Sequence, residues 1–139
     1  MLYGTFFGKG RETMVQIDYS KGFINEGNDE RMLACMAKGL KGEPLTVAFL
    51  GGSITQGSLS STPELCYAYL TYEWGKEQFP KSEITYVNAG IGGTTSHLGT
   101  GRVDEEVLSH KPDFVIVEFS VNDADTDAHF EETYEGLVR

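Results

Sequence analysis

Phe114–Phe119 is a nearly continuous apolar run of strand length, bounded on one side by Lys111-Pro112-Asp113 and on the other by Ser120-Val121-Asn122-Asp123. A strand without polar alternation suits a parallel sheet covered on both faces. Two more strands precede it, Thr46–Leu50 and Ile84–Asn88, and segments of helix length separate all three. The order β-α-β-α-β-α predicts an α/β fold with a parallel sheet and right-handed crossovers.

The helices are read from apolar spacing and from their stop signals. Met32, Leu33, Met36 and Leu40 recur at helical spacing over Glu30–Leu40, with Asn28 or Asp29 as cap and Gly39, Gly42 and Pro44 at the end. That Met-rich stripe reads as core. A second helix opens at Pro63, with Thr62 as cap, and runs to about Phe79; Leu65, Tyr69, Tyr72 and Phe79 form its apolar side. A third covers roughly Gly99–Ser109 with Val103, Val107 and Leu108 inward, and a fourth begins over Phe130–Val138. Residues 1–28, with five glycines and no sustained period, form a poorly defined segment before a domain over 29–139.

Parallel strands end on the same side of the sheet, so three post-strand loops converge there. The first is Gly51-Gly52-Ser53-Ile54-Thr55, the second Ala89-Gly90-Ile91-Gly92-Gly93-Thr94-Thr95-Ser96, and the third holds Asn122. Each has an ordinary reading alone: Ser53 as a turn or helix cap, the glycines as a tight crossover, Asn122 as an Asx-turn residue. Together they suit an attack by Ser53 on a carbonyl carbon. The Ser53 N–H, a glycine N–H from the second loop and the Asn122 amide would then receive the oxyanion.

Other motif readings fail on particular residues. Gly52-Ser53-Ile54-Thr55-Gln56-Gly57 has the glycine spacing of a phosphate-binding loop, but Ser58-Leu59 replaces the required Lys-Ser/Thr. Gly90-Ile91-Gly92 begins like a dinucleotide fingerprint, yet Thr95 takes the third glycine position. Thr55 likewise replaces the last glycine of a Gly-x-Ser-x-Gly elbow.

The three loops resemble the blocks of the SGNH (GDSL-like) hydrolases. Gly51-Gly52-Ser53-Ile54 is similar to the family's Gly-Asp-Ser-Leu, with Gly52 for the aspartate, and the GGSIT form resembles a subset of its members. Asn88–Ser96 resembles the second block, which makes Gly93 the oxyanion glycine. Ser120-Val121-Asn122-Asp123 resembles Gly-x-Asn-Asp, with serine for the first glycine. The resemblance spans about Thr46–Asp123. It implies a flavodoxin-like α/β/α sandwich and hydrolysis of esters, often acetyl groups on carbohydrate, or acyl chains. The implied catalytic residues are Ser53, Gly93 and Asn122, with no metal or cofactor.

The family's Asp-x-x-His block, which activates the serine, is absent from these 139 residues. His97 and His129 are the histidines that can approach the active edge, whereas His110 belongs at the opposite end of the third strand. The expectation is therefore the front part of a longer hydrolase, cut after the third strand and its following helix. Its activity would be weak or absent, and its exposed strand edge would favour self-association. A non-catalytic carbohydrate- or acyl-binding module is the alternative.

A net charge of −10 argues against nucleic acid and anionic membrane surfaces as partners. No segment reaches the roughly 18 apolar residues of a membrane span. Met1–Phe7 lacks the basic start and apolar core of a signal peptide, so a cytoplasmic location is expected. Cys35 and Cys66 lack metal-ligand and CxxC spacing and read as reduced core thiols.

Overall fold

The computed structural model describes residues 28–124 and 130–138. Three strands, β1 (Leu45–Gly51), β2 (Ile84–Gly90) and β3 (Phe114–Glu118), form a sheet in the order β2-β1-β3. Both pairings are parallel, with Gly51 opposite Gly90 on one side and Glu118 on the other. All three strands therefore end at one edge of the sheet. The fold is the expected α/β/α sandwich, and the strand order is that of the first three flavodoxin-like strands.

The sheet is covered on both faces because side chains alternate along each strand. Phe49 is fully buried on one face with Cys66 and Ala68, and Val47, Tyr86 and Ile116 pack against them. This face is covered by α3 (Tyr67–Gln78), whose Tyr69 and Tyr72 rings lie 5.7 and 5.2 Å from that of Tyr86. Ala48, Leu50 and Ala89 face the other way with Val107 and Phe119, beneath α4 (Ser96–Glu106) and Leu137 of α6 (Phe130–Val138). Among the described residues no helix is long and apolar enough to cross a membrane.

Three helix readings need correction. The first concerns α1, which spans Glu30–Leu40 as expected, with the Glu30 N–H donating to Asn28 Oδ1. Yet Met32, Leu33, Met36 and Leu40 are 41–71% exposed among the described residues, rather than core. The helix faces the sheet with its Cys35–Lys38–Gly39 side instead. Lys38 Nζ donates to Asp113 Oδ1 at 2.6 Å, and Gly39 is buried where a Cβ would sit 2.8 Å from the Phe79 ring. At helical pitch the Met/Leu stripe occupies a roughly 100° arc beside that contact, bordering it at Gly39 and turning Leu33 and Leu40 furthest from it.

The second is the segment opening at Pro63. It is a single 3₁₀ turn, Pro63–Leu65, broken at Cys66 by extended backbone (ψ 152°) before α3 starts at Tyr67. The break leaves Leu65 exposed and makes no use of a Thr62 side-chain cap. The third is α4, which starts at Ser96 and ends at Glu106. A 3₁₀ turn over Leu108–His110 then redirects the chain, so Val107 is buried while Leu108 is half exposed. Both cysteines are free thiols, Cys66 buried and Cys35 partly so. Residues 1–27 lie outside the described ones.

Candidate active site

β1 runs out at Gly51, and within two residues the chain enters a short helix, α2 (Ser53–Gln56). Gly51 is sterically required here: a Cβ would overlap Thr55 Oγ1 and come 2.5 Å from the Glu118 carbonyl. Ser53 occupies the first helical position, and its carbonyl accepts the N–H groups of Gly57 and Ser58 at 3.1 and 2.9 Å. Thr55 is fully buried and bonded to the Tyr67 hydroxyl at 2.8 Å, which fastens α2 to α3. Ser53 is thus held by its backbone. Its own hydroxyl has no hydrogen-bond partner among the described residues.

The end of β2 and the second loop are fastened to α2 by two hydrogen bonds and to the end of β1 by a third. Gly92 N–H donates to Gln56 Oε1 at 2.8 Å, Asn88 Nδ2 donates to the Thr55 carbonyl at 2.8 Å, and Ile91 N–H donates to the Gly51 carbonyl at 3.0 Å. A Cβ placed on Gly92 would lie 3.7 Å from Ser53 Cβ, so this loop runs directly beside the serine. Gly93 then takes φ +74°, a left-handed conformation that costs an L side chain about 1–2 kcal/mol. Its surroundings are open: a Cβ there would meet nothing within 4 Å. Its N–H has no acceptor among the described residues.

The third loop closes the arrangement through a short helix, α5 (Ser120–Ala124). Asn122 Nδ2 donates to the Thr94 carbonyl at 2.7 Å and lies 2.8 Å from where a Gly52 Cβ would stand. Gly52 therefore leaves room for the Asn122 amide beside the serine turn. The neighbouring Asp123 is buried, and its Oδ1 accepts the Ser96 N–H at 2.9 Å. A carboxylate is favoured at that N-terminus of α4. Gly52, Ser53, Ile54, Glu118, Phe119, Val121 and Asn122 line one shallow depression.

Ser53, Gly93 and Asn122 thus sit on three linked loops at the carboxyl edge of the sheet. His97 is exposed in the first turn of α4, and His110 follows Ser109 at the opposite end of β3. His129 lies outside the described residues. Among the described residues no group of three or more His, Cys, Asp or Glu side chains could hold a metal ion.

The sequence reading missed Gln56 and Arg102. Gln56 gives no sequence signal, since its role depends on the second loop folding back across α2. Arg102 does give one: with Gly99, Val103 and Glu106 it falls on the inward side of α4, where a cation is unexpected.

Residues 49–139 match the GDSL-like Lipase/Acylhydrolase family. The chain is 33% identical over 78 residues to thioesterase 1/protease 1/lysophospholipase L1 of Escherichia coli, covering 56% of this chain and 35% of that protein. Among solved structures, it is 62% identical to a two-domain esterase active on acetylated mannans, with a TM-score of 0.78, covering 83% of this chain and 31% of the other. A lipase/acylhydrolase from Enterococcus faecalis is 29% identical with a TM-score of 0.53, over 68% of this chain and 50% of the other. The chain spans about a third of the length of the first two.

Proposed function

The chain belongs to the GDSL-like lipase/acylhydrolase family, and from that footing we propose that it is a serine esterase of the SGNH type, acting on acetylated carbohydrate. Ser53 is the nucleophile. The N–H groups of Ser53 and Gly93 and the Asn122 side-chain amide receive the oxyanion of the tetrahedral intermediate. Donors fixed in advance in this way typically contribute about 2.7–4 kcal/mol each to the transition state. The observation that carries the reading is the linkage of the three loops, which brings Ser53 and Asn122 to one depression and the Gly93 loop alongside Ser53, with the Ser53 hydroxyl and the Gly93 N–H unpartnered among the described residues.

Acetylated carbohydrate follows from the likeness to an esterase active on acetylated mannans, over 83% of this chain. The step is addition of Ser53 Oγ to the ester carbonyl, then loss of the sugar alcohol, which leaves acetyl-Ser53 for water to release. Both halves need a group that takes a proton and returns it. None engages the Ser53 hydroxyl among the described residues, so we assign these 139 residues slow turnover. Loss of a triad base lowers rate by several powers of ten while an oxyanion hole retains a residue of it.

Release of p-nitrophenol from p-nitrophenyl acetate tests the assignment. We expect slow release that Ser53→Ala removes. Release at ordinary esterase rates would overturn the slow-turnover assignment, and release unaffected by Ser53→Ala would overturn the nucleophile.

A second reading rests on β3. Its outer edge is unpaired among the described residues, and every residue of Phe114–Glu118 is half-buried rather than exposed. Such an edge suits pairing with another chain. Concentration-dependent association in sedimentation velocity would support self-pairing, and a monomer at every concentration would count against it.

A further inference from the structure

Arg102 is only 9% exposed, at the place where the three strand ends meet. Its Nη2 donates to the Gly51 carbonyl at 3.0 Å, and its Nη1 donates to the Ala89 carbonyl at 2.6 Å. Nη1 also pairs with Glu106 Oε2 at 2.5 Å, and the guanidinium carbon lies 5.9 Å from the centre of the Phe119 ring. One side chain therefore touches all three loops at their roots. Gly51 lies two residues before Ser53, Ala89 is the penultimate residue of β2 ahead of the loop carrying Gly93, and Phe119 is three residues before Asn122.

Stability alone is a poor reason to keep this group inside. Removing a charge from water costs several kcal/mol, and a buried ion pair often does no better than a well-packed apolar side chain. The arrangement is also incompletely satisfied, since Arg102 Nε is buried with no acceptor among the described residues. What an apolar residue cannot do is join two carbonyls on adjacent strands. A planar guanidinium can, because its two terminal nitrogens have a fixed separation; a lysine ammonium is a single point donor.

We infer that Arg102 is a positioning residue that sets the separation between Ser53, Gly93 and Asn122 by tying the ends of β1 and β2 to each other and to Phe119. The inference rests on the assignment of those three residues to ester chemistry. The Gly51 carbonyl also accepts the Ile91 N–H at 3.0 Å, so the Arg102 tie and the backbone tie of the second loop meet on one oxygen. Releasing the guanidinium loosens that junction. A displacement of about 1 Å in reacting groups can cost on the order of 100-fold in rate.

Arg102→Met and Arg102→Lys in the full chain test the inference by two readouts. In proton–nitrogen correlation spectra, Arg102→Met is expected to shift the Ser53 and Gly93 amides and the Asn122 side-chain amide. Signals of α1 should stay in place, and Arg102→Lys should restore the site signals in part. In single-turnover reaction with p-nitrophenyl acetate, acetylation of Ser53 followed by mass spectrometry is expected to slow about 10- to 100-fold at saturating ester in Arg102→Met. The half-saturating concentration should change by less than about threefold, the pattern of a lost transition-state interaction.

Unshifted site signals in folded Arg102→Met overturn the positioning role, whatever the acetylation rate. A full chain that never acetylates Ser53 overturns the ester assignment instead, and the spectra still decide for or against Arg102. Should Arg102→Met fail to fold, Arg102→Lys decides: site signals and acetylation rate equal to those of the full chain overturn the inference, and displaced site signals with slowed acetylation support it.

Discussion

Replacing Gly90 by alanine probes how closely the second loop is seated against the serine helix. An added Cβ would overlap Gln56 N and lie 2.6 Å from both Gln56 Cα and Thr55 C. All three are backbone atoms, so no side chain can rotate away. Restoring an ordinary carbon contact near 3.5 Å requires α2 and the loop to separate by roughly 1 Å. That movement breaks or stretches the Gly92 N–H to Gln56 Oε1 and Asn88 Nδ2 to Thr55 carbonyl bonds, each now 2.8 Å. Overpacking costs about 1–3 kcal/mol. Two weakened hydrogen bonds add about 1 kcal/mol each.

The expected destabilisation for Gly90→Ala is therefore about 3–5 kcal/mol, a large share of a domain's usual stability. Gly93→Ala is the internal control. It lies three residues away, has open space around its Cβ, and should lose only the roughly 1–2 kcal/mol of its positive φ. Urea unfolding of both variants, followed by far-ultraviolet circular dichroism, measures the difference. A Gly90→Ala midpoint equal to or above that of Gly93→Ala would refute the steric reasoning and with it the close seating of the loop.

Three further predictions concern other parts of the molecule. Asp113→Ala should cost about 1–3 kcal/mol by urea unfolding, because Oδ1 accepts from Lys38 Nζ and Oδ2 from the Thr46 N–H, leaving a strand amide unpaired; an unchanged midpoint would contradict this. Burial pushes the Cys35 thiol up, and the nearby Asp113 carboxylate adds to the effect. Iodoacetamide at mildly alkaline pH should therefore alkylate Cys35 more slowly than it alkylates free cysteine, and an equal rate by mass spectrometry would count against it. Asn122→Ala should slow acetylation of Ser53 by p-nitrophenyl acetate on the order of 100-fold or more while the chain stays folded, as loss of one oxyanion donor does; an unaltered rate would remove Asn122 from the site.

The sheet was legible because its strands are marked by apolar runs that end in glycine or polar turns. Thr46–Leu50 and Phe114–Phe119 need no tertiary information to be read. The α1 stripe misled for the opposite reason: apolar spacing states that a helix has an apolar side, and Gly39 against Phe79 decides which side meets the sheet. Cys66 broke the Pro63 helix through a backbone change that no residue nearby announces. The candidate residues Ser53, Gly93 and Asn122 come from loop position and family resemblance. Their linkage could not, because Gln56, Arg102 and Asp123 act across sequence separations of 13 to 51 residues on partners defined only by the folded sheet.

The Ser53 hydroxyl carries the proposed chemistry. An aryl fluorophosphonate reacts with a serine that sits before oxyanion donors, and peptide mapping by mass spectrometry locates the adduct. A single slow adduct on Ser53 is expected, absent in Ser53→Ala and slowed further in Asn122→Ala. An adduct on another serine, or no adduct at all on the folded chain, would contradict it.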